Sequence, residues 1–423
     1  MLRRVLLHCT FTFLAAAIAS ATTVAAEPAD RVLNVAVVTT VWHHNSHADV
    51  IAGRLIQGYT LDGKGEFPKL KLVSLYVDQK PESDKSAKFA AEYGFKIYDT
   101  IAGALTLGGD KLAVDGVIVV GEHGKYEKNE TGGTMYPKRR FLGEVFQVLE
   151  KSGRVVPVFS DKHVCDNWKD IEWIYKEAQR LKVPMMGGSS LPTLWRYPAA
   201  DVNRGEPLKE IVATSYHTLD AYGFHALEMV QCLAERRRGG ETGIKQVRCL
   251  EGDAVWEAGR AGLFDRKLLD EAVSRFKERP LAADKKLEEI AKNVSLMHVE
   301  YVDGFKASVI TENSGIFAEW AVAWRKDDGS SQSTTFWTQE ARPFMHFTYL
   351  LKGVDQMMHT GKPAWPIERT VVTSGVLDAM HISQKRGGQI VETPYLAAFK
   401  YPTPQWTFQQ PPEPPPGRPI QDQ

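Results

Sequence analysis

Apolar residues in the first half of the chain fall into short runs separated by amphipathic stretches. Val32 to Thr40 is a Val-rich run of strand length, and His47 to Gly58 shows helical spacing through Val50, Leu55 and Ile56. Leu70 to Val77 predicts a second strand, Glu82 to Tyr93 a polar helix, and Phe95 to Tyr98 a short strand. Val114 to Val120 is strongly β-branched, Arg140 to Lys151 is helical, and Arg154 to Phe159 returns to strand. Trp168 to Leu181 is an amphipathic helix and Val183 to Met186 a last short strand. Strands alternating with helices at this spacing predict parallel βαβ units, a Rossmann-type doubly wound domain over residues 30–187. Such sheets bind ligands beyond the C-terminal ends of their strands. The residues after Thr40, Val77, Val120 and Phe159 are therefore where chemistry is expected.

After Gly188 the pattern changes. Glu210 to His217, Gln246 to Leu250, Ser295 to Val302, Phe305 to Glu312, Phe317 to Trp324 and Ser331 to Thr338 read as strands, and Asp220 to Arg237 as a helix. Asp327-Asp328-Gly329 is a hairpin signal between the last two strands. This predicts an α+β domain with a mainly antiparallel sheet over residues 188–400. Arg266 to Lys292 reads as a charged helical insertion. Met345 to Met358 and Ile367 to Gln384 read as late helices that return to the first domain.

The two ends stand outside this pattern. Residues 1–26 read as an export signal, with Arg3 and Arg4 ahead of the apolar stretch Leu6 to Ala17 and small residues from Ala21 to Ala26. Arg3-Arg4-Val5-Leu6-Leu7 is also a minimal twin-arginine pattern. An exported chain, periplasmic or secreted, is expected, with no membrane association once the signal is removed. From Pro402 to Gln423 the chain carries eight of its 22 prolines and reads as a solvated, extended tail. Of 423 residues, roughly 370 are then left for the two domains.

Charge and cysteine content narrow the function classes. The 52 Lys and Arg balance 52 Asp and Glu, and losing residues 1–26 leaves 50 against 52, a net of −2. No basic footprint for a phosphate backbone is present, so nucleic acid is not an expected partner. Four cysteines exclude a disulfide scaffold, and Cys165, Cys232 and Cys249 remain after signal removal.

The loop after the first strand reads Thr39-Thr40-Val41-Trp42-His43-His44-Asn45-Ser46-His47. A dinucleotide site wants glycine there, so that backbone can approach the pyrophosphate at the helix N-terminus. This loop offers β-branched residues, three imidazoles and an amide. Asp78 follows the second strand, where an acid commonly holds a ribose hydroxyl, or it is a turn former ahead of Pro81. Glu122-His123 after the fourth strand is a candidate acid–base pair or a solvated loop. Asp161-Lys162-His163 sets three ionisable residues at the end of the fifth strand. His225 is a lone histidine on an apolar helix. Trp320, Trp324 and Trp337 lie on strands, either packed in the core or stacked on a sugar.

Several of these features form one pattern. Val158-Phe159-Ser160-Asp161-Lys162-His163, leading to Pro184-Met185-Met186-Gly187-Gly188, resembles the Glu-Lys-Pro motif and Gly-rich turn of the Gfo/Idh/MocA oxidoreductases. His47-Ala48, the segment Leu72 to Asp99, Gly223-x-His225-x-x-Glu228 and Gly361-Lys362-Pro363 resemble further segments of that family, so the likeness covers residues 32–395. The family's Gly-x-Gly-x-x-Gly positions hold Thr39, Val41 and His44. Its catalytic Asp position holds Ala221, and Asp220, one place off, would point elsewhere on an α-helix.

The resemblance implies hydride transfer between a sugar or polyol and NAD or NADP, in a homo-oligomer paired through the second domain's open sheet face. The implied catalytic residues are Lys162, His225, Asp161 and His163. The implied cofactor-binding residues are Thr39, Thr40, His44, Asn45, Asp78, Glu122 and His123. No metal site is assigned. Two alternatives use the same fold: a cofactor-free or metal-dependent lyase or isomerase, with His43, His44, His47, His123 and His163 as metal candidates, and a non-catalytic carbohydrate-binding protein.

Overall fold

A computed structural model describes residues 31–278, 281, 285–405 and 410–418. The expected export signal lies outside the described residues.

The first unit is built on six parallel strands: β1 (Leu33–Thr39), β2 (Leu70–Val77), β3 (Lys96–Ile97), β4 (Gly116–Val120), β5 (Val158–Asp161) and β6 (Met185–Gly188). Their order is β3-β2-β1-β4-β5-β6, so the chain reverses direction across the sheet between β1 and β4. β4 and β5 are buried along their whole lengths. That is why they read as unbroken apolar runs, as strands covered on both faces do. The fifth strand starts at Val158, later than its apolar run suggested, and the first helix is two short helices, His47–Ile51 and Gly53–Gln57.

The second unit is an eight-stranded sheet: β7 (Trp195–Tyr197), β8 (Leu208–Tyr216), β9 (Ile244–Glu251), β10 (Val294–Tyr301), β11 (Lys306–Glu312), β12 (Trp320–Lys326), β13 (Ser331–Trp337) and β14 (Val391–Glu392). It is antiparallel except where β8 pairs with β11. The β12–β13 hairpin turns at Gly329, at φ 87°, as the Asp-Asp-Gly signal predicts. The architecture is a Rossmann-like parallel sheet joined to a mainly antiparallel one.

Two late helices tie the units together. Phe347, Leu350, Leu351 and Val354 of the helix His346–Thr360 pack among Val35, Val37 and Leu72 of the first sheet. The helix Ile367–Lys385 places Ile367 and Val371 in the first core and Val372, Val376 and Met380 in the second. It is buried almost all round, which explains why its sequence shows no amphipathic stripe.

Among the described residues the expected insertion, Arg266 to Lys292, forms two short helices, Arg266–Val273 and Leu287–Ile290, and a third, Asp253–Arg260, precedes it. Trp256, Phe264, Leu268, Leu269 and Phe276 pack on Val212, Leu250, Leu296, Ile310, Ala321 and Ala323 of the second sheet. The sheet face expected to receive a partner subunit is thus largely covered by the chain's own helices. The Pro-rich tail also differs from expectation. Pro412 O accepts from Trp195 Nε1 at 2.9 Å, and Arg418 Nη2 donates to Thr60 O at 2.7 Å, so residues 410–418 lie along the folded chain rather than free in solvent.

Among the described residues, no helix is long and apolar enough to cross a membrane, and Cys165, Cys232 and Cys249 are all free and buried.

Candidate active site

The C-terminal ends of β1, β4, β5 and β6 open onto a cavity of about 320 Å³, closed from the other side by the second unit. Its floor is ionic. Glu122 is buried at the end of β4, with Lys138 Nζ at 2.7 Å and Lys162 Nζ at 3.2 Å. Burial works against the Glu122 charge, but the two ammoniums outweigh it and hold the carboxyl well below its ordinary range. Lys138 is itself fully buried and also donates to the carbonyls of Asp161 (2.9 Å) and His163 (2.6 Å). It therefore fastens the β4 end to the β5 end. A Cβ on Gly121 would lie 2.8 Å from Lys138 Cγ, so glycine at this position makes room for that side chain.

Two imidazoles are oriented over this floor. His47 Nδ1 lies 2.5 Å from Asp161 Oδ2, a carboxylate 1% exposed. His225 Nδ1 lies 2.6 Å from Ser189 Oγ. The two rings stand 6.5 Å apart. Burial, aided by the Lys162 charge, drives His225 well below the ordinary imidazole range, so it is neutral at physiological pH. His123, 5.1 Å ring to ring from His47, is lowered to about 3, first by burial, with the Lys162 charge adding to it. The opposite wall is aromatic: Tyr222 stacks on Trp320 at 5.5 Å, with Tyr216 4.9 Å from Trp320.

The backbone is strained around the same space. Asn45, His123, Lys162 and Phe344 line the cavity with φ of 56°, 66°, 58° and 51°. Each non-glycine residue in this region costs about 1–3 kcal/mol, and such strain persists where surrounding structure enforces it, commonly at functional sites.

Sequence-level candidates separate into two groups. Asn45, Glu122, His123, Lys162 and His225 line the cavity. Asp161 stands behind it, bonded to His47, and His163 is buried with its ring 3.6 Å from Glu122. Thr39, Thr40, His44 and Asp78 are committed elsewhere. Thr39 Oγ1 donates to the carbonyls of Val41 (3.1 Å) and Val120 (3.0 Å), and Thr40 Oγ1 donates to the Glu122 carbonyl. His44 Nδ1 meets Lys85 Nζ at 2.8 Å. Asp78 accepts from the hydroxyls of Tyr76 and Tyr126, each at 2.8 Å, and pairs with Arg140.

Asp220 was expected to face away and does not. Residues Leu219–Gly223 form a π-helical turn ahead of the α-helix Phe224–Ala234. In such a turn the repeat is five residues rather than four, so Asp220 shares a face with His225. Both line the cavity, and Asp220 accepts from Thr134 N at 3.0 Å and Thr134 Oγ1 at 2.7 Å. Sequence reasoning also missed Lys138, Tyr216, Tyr222 and His346. None follows a strand of the parallel sheet directly, where ligand-binding residues of such a sheet are expected.

No protein-family model and no curated protein matches the sequence. Solved structures do. GenD2 from gentamicin A biosynthesis, solved with NAD, aligns with a TM-score of 0.55 at 13% identity, over 86% of this chain and 97% of its own. The WlbA dehydrogenase from Bordetella pertussis, solved with NADH and UDP-GlcNAcA, aligns at 0.51 and 14% identity, over 86% and 99%. An inositol dehydrogenase homolog from Azotobacter vinelandii, solved with NADH and myo-inositol, aligns at 0.50 and 12%, over 86% and 98%. The chain has the Gfo/Idh/MocA fold.

In a Rossmann-type unit a dinucleotide crosses the sheet where strand order reverses, with its pyrophosphate on a glycine-rich turn at a helix N-terminus. The residues of this Gfo/Idh/MocA-fold chain do not fit that group. The amide of Asn45 donates to Asp49 Oδ2 (3.0 Å), that of Ser46 to His43 O (3.0 Å), and that of His47 to His123 Nδ1 (3.3 Å). These three amides at the start of the helix are thus already bonded. Asp49, fully buried in the first turn of the helix, adds a negative charge at the same place, balanced by Arg342 at 2.9 Å. Asp78 is held by Tyr126 of the loop that follows β4. The cavity itself is at the lower end of small-molecule sites, which run about 300–1,000 Å³, a size for a monosaccharide rather than for a dinucleotide beside one. Among the described residues, no group of three or more His, Cys, Asp or Glu side chains is placed to hold a metal ion.

Proposed function

We propose that the chain is an enzyme that binds a sugar or polyol derivative in this cavity and moves its protons without a dinucleotide. This is the cofactor-free isomerase or lyase alternative. One observation carries it: a lysine ammonium and two oriented imidazoles converge on a monosaccharide-sized cavity with an aromatic wall. Lys162 holds the reacting oxygen and favours its anionic form, and neutral His225 exchanges protons with it. Tyr222 and Trp320 offer the flat apolar surface on which a sugar ring stacks.

A second reading is hydride transfer on the same substrate class with NAD or NADP. It draws support from fold neighbours solved with NAD or NADH and, at one neighbour each, myo-inositol or UDP-GlcNAcA. The bonded amides of the β1 turn weigh against it. Export through residues 1–26 is part of the proposal, and it favours the first reading because free dinucleotide is scarce outside the cytoplasm. A chain cut near Ala26 in the periplasmic fraction is expected, and an uncut cytoplasmic chain would contradict export.

Calorimetry with D-glucose, D-fructose, D-xylulose, D-glucuronate, myo-inositol and 2-keto-myo-inositol tests the substrate class. At least one should bind, and Tyr222→Ala should weaken it by about tenfold, the size of one lost aromatic contact. Binding of none, or binding unchanged in Tyr222→Ala, would overturn the assignment.

A further inference from the structure

We infer that His47, oriented by Asp161, is the base that removes a carbon-bound proton beside a carbonyl, so that the chain isomerises an α-hydroxy-carbonyl sugar through an enediolate. The inference rests on the cofactor-free reading above and names the reaction and its base.

The geometry fixes the tautomer of His47. An ionised carboxylate can only accept, so Asp161 Oδ2 at 2.5 Å takes the Nδ1 hydrogen, and in the neutral ring the lone pair is then on Nε2. The ring is held between His123 (5.1 Å) and Phe347 (5.2 Å) and lines the cavity. A base oriented by a buried third group is a recurrent arrangement for proton abstraction. When Nε2 takes a proton, the imidazolium forms against Asp161, which stabilises it. The remaining parts match the needs of an enediolate. Lys162, held at strained φ, presents its ammonium to the anionic oxygen. His225 is kept neutral by burial, the state suited to moving a proton between two enediolate oxygens rather than fully protonating one.

The balance closes without an oxidant. The C–H bond beside the carbonyl breaks, its proton goes to His47 Nε2, and its electron pair forms the C=C bond of the enediolate. The hydroxyl proton on one oxygen passes by way of His225 to the other. His47 then returns its proton to the former carbonyl carbon, and the second oxygen becomes the new carbonyl. Substrate and product are isomers, and no group of the protein is left changed.

The test is proton exchange in D2O, followed by NMR, with D-fructose, D-xylulose, D-glucuronate and 2-keto-myo-inositol and no added nucleotide. One of them should lose a carbon-bound proton signal in the presence of the full chain. His47→Gln should slow that exchange about a hundred- to ten-thousand-fold, with sugar affinity by calorimetry within about threefold. Asp161→Asn provides a second variant should His47→Gln fail to fold: kcat should fall while KM stays within about threefold, a split that a merely structural role would not give. A sugar that binds but exchanges no deuterium, or undiminished exchange in His47→Gln, overturns the inference and leaves the sugar-binding cavity standing. Failure of every sugar to bind overturns both.

Discussion

Lys138 shows how the site is held at the level of single residues. Its ammonium is fully buried and has three acceptors, the Glu122 carboxylate and the carbonyls of Asp161 and His163. Removing it strands a buried carboxylate and two carbonyls at once. Breaking a buried pair by deleting one partner costs about 3–5 kcal/mol. Lys138→Met should therefore lower the free energy of unfolding in urea by about that amount, and an unchanged midpoint would contradict the network. Glu228 makes an opposite case. Burial pushes its carboxyl up to about 7, against the opposing pull of Arg369 and the 2.7 Å bond from Thr373 Oγ1. A raised acid binds its proton more tightly folded than unfolded. Its contribution is therefore present at low pH and is lost as pH rises from about 4.5, the unfolded value, through about 7. Glu228→Gln should match the parent at pH 4.5 and exceed it at pH 8 by about 3 kcal/mol, the shift converted at about 1.4 kcal/mol per unit. No widening difference between the two pH values would contradict the shift.

At the scale of elements, the helices between β9 and β10 bear on association through the sheet face they cover. A partner subunit needs an open apolar face, and here Trp256, Phe264, Leu268 and Phe276 already cover much of it. The chain should sediment as a monomer in analytical ultracentrifugation, and a stable dimer would contradict the cover. The elements themselves were largely legible. Trp168–Leu181 and Leu70–Val77 coincide with the sequence reading because each carries a clean period and a clear end. What escaped was produced by tertiary context. The strand Trp195–Tyr197 is three residues long, too short for any period to register, and exists through its pairing with β13. The turn Leu219–Gly223 is π-helical, and no local signal distinguishes a five-residue repeat from the default helix, so Asp220 was assigned to the wrong face.

At the scale of the whole molecule, the fold and the loops after the parallel strands were readable in advance, and they lead to the cavity. The partners of each loop residue were not. Thr39, Thr40 and Asp78 stood where a dinucleotide is held, but their bonds run to Val120, Glu122 and Tyr126 across the sheet, contacts separated by tens of residues in sequence. His47 was read as a helix start and a metal candidate, and the Asp161 carboxylate that orients it is 114 residues away. On the cofactor-free reading, this Gfo/Idh/MocA-fold chain works without a nicotinamide dinucleotide. Calorimetric titration of the purified, nucleotide-free chain with NAD, NADH, NADP and NADPH tests it most directly. No heat of binding is predicted at millimolar ligand for any of the four, and saturable one-site binding in the micromolar range would contradict it.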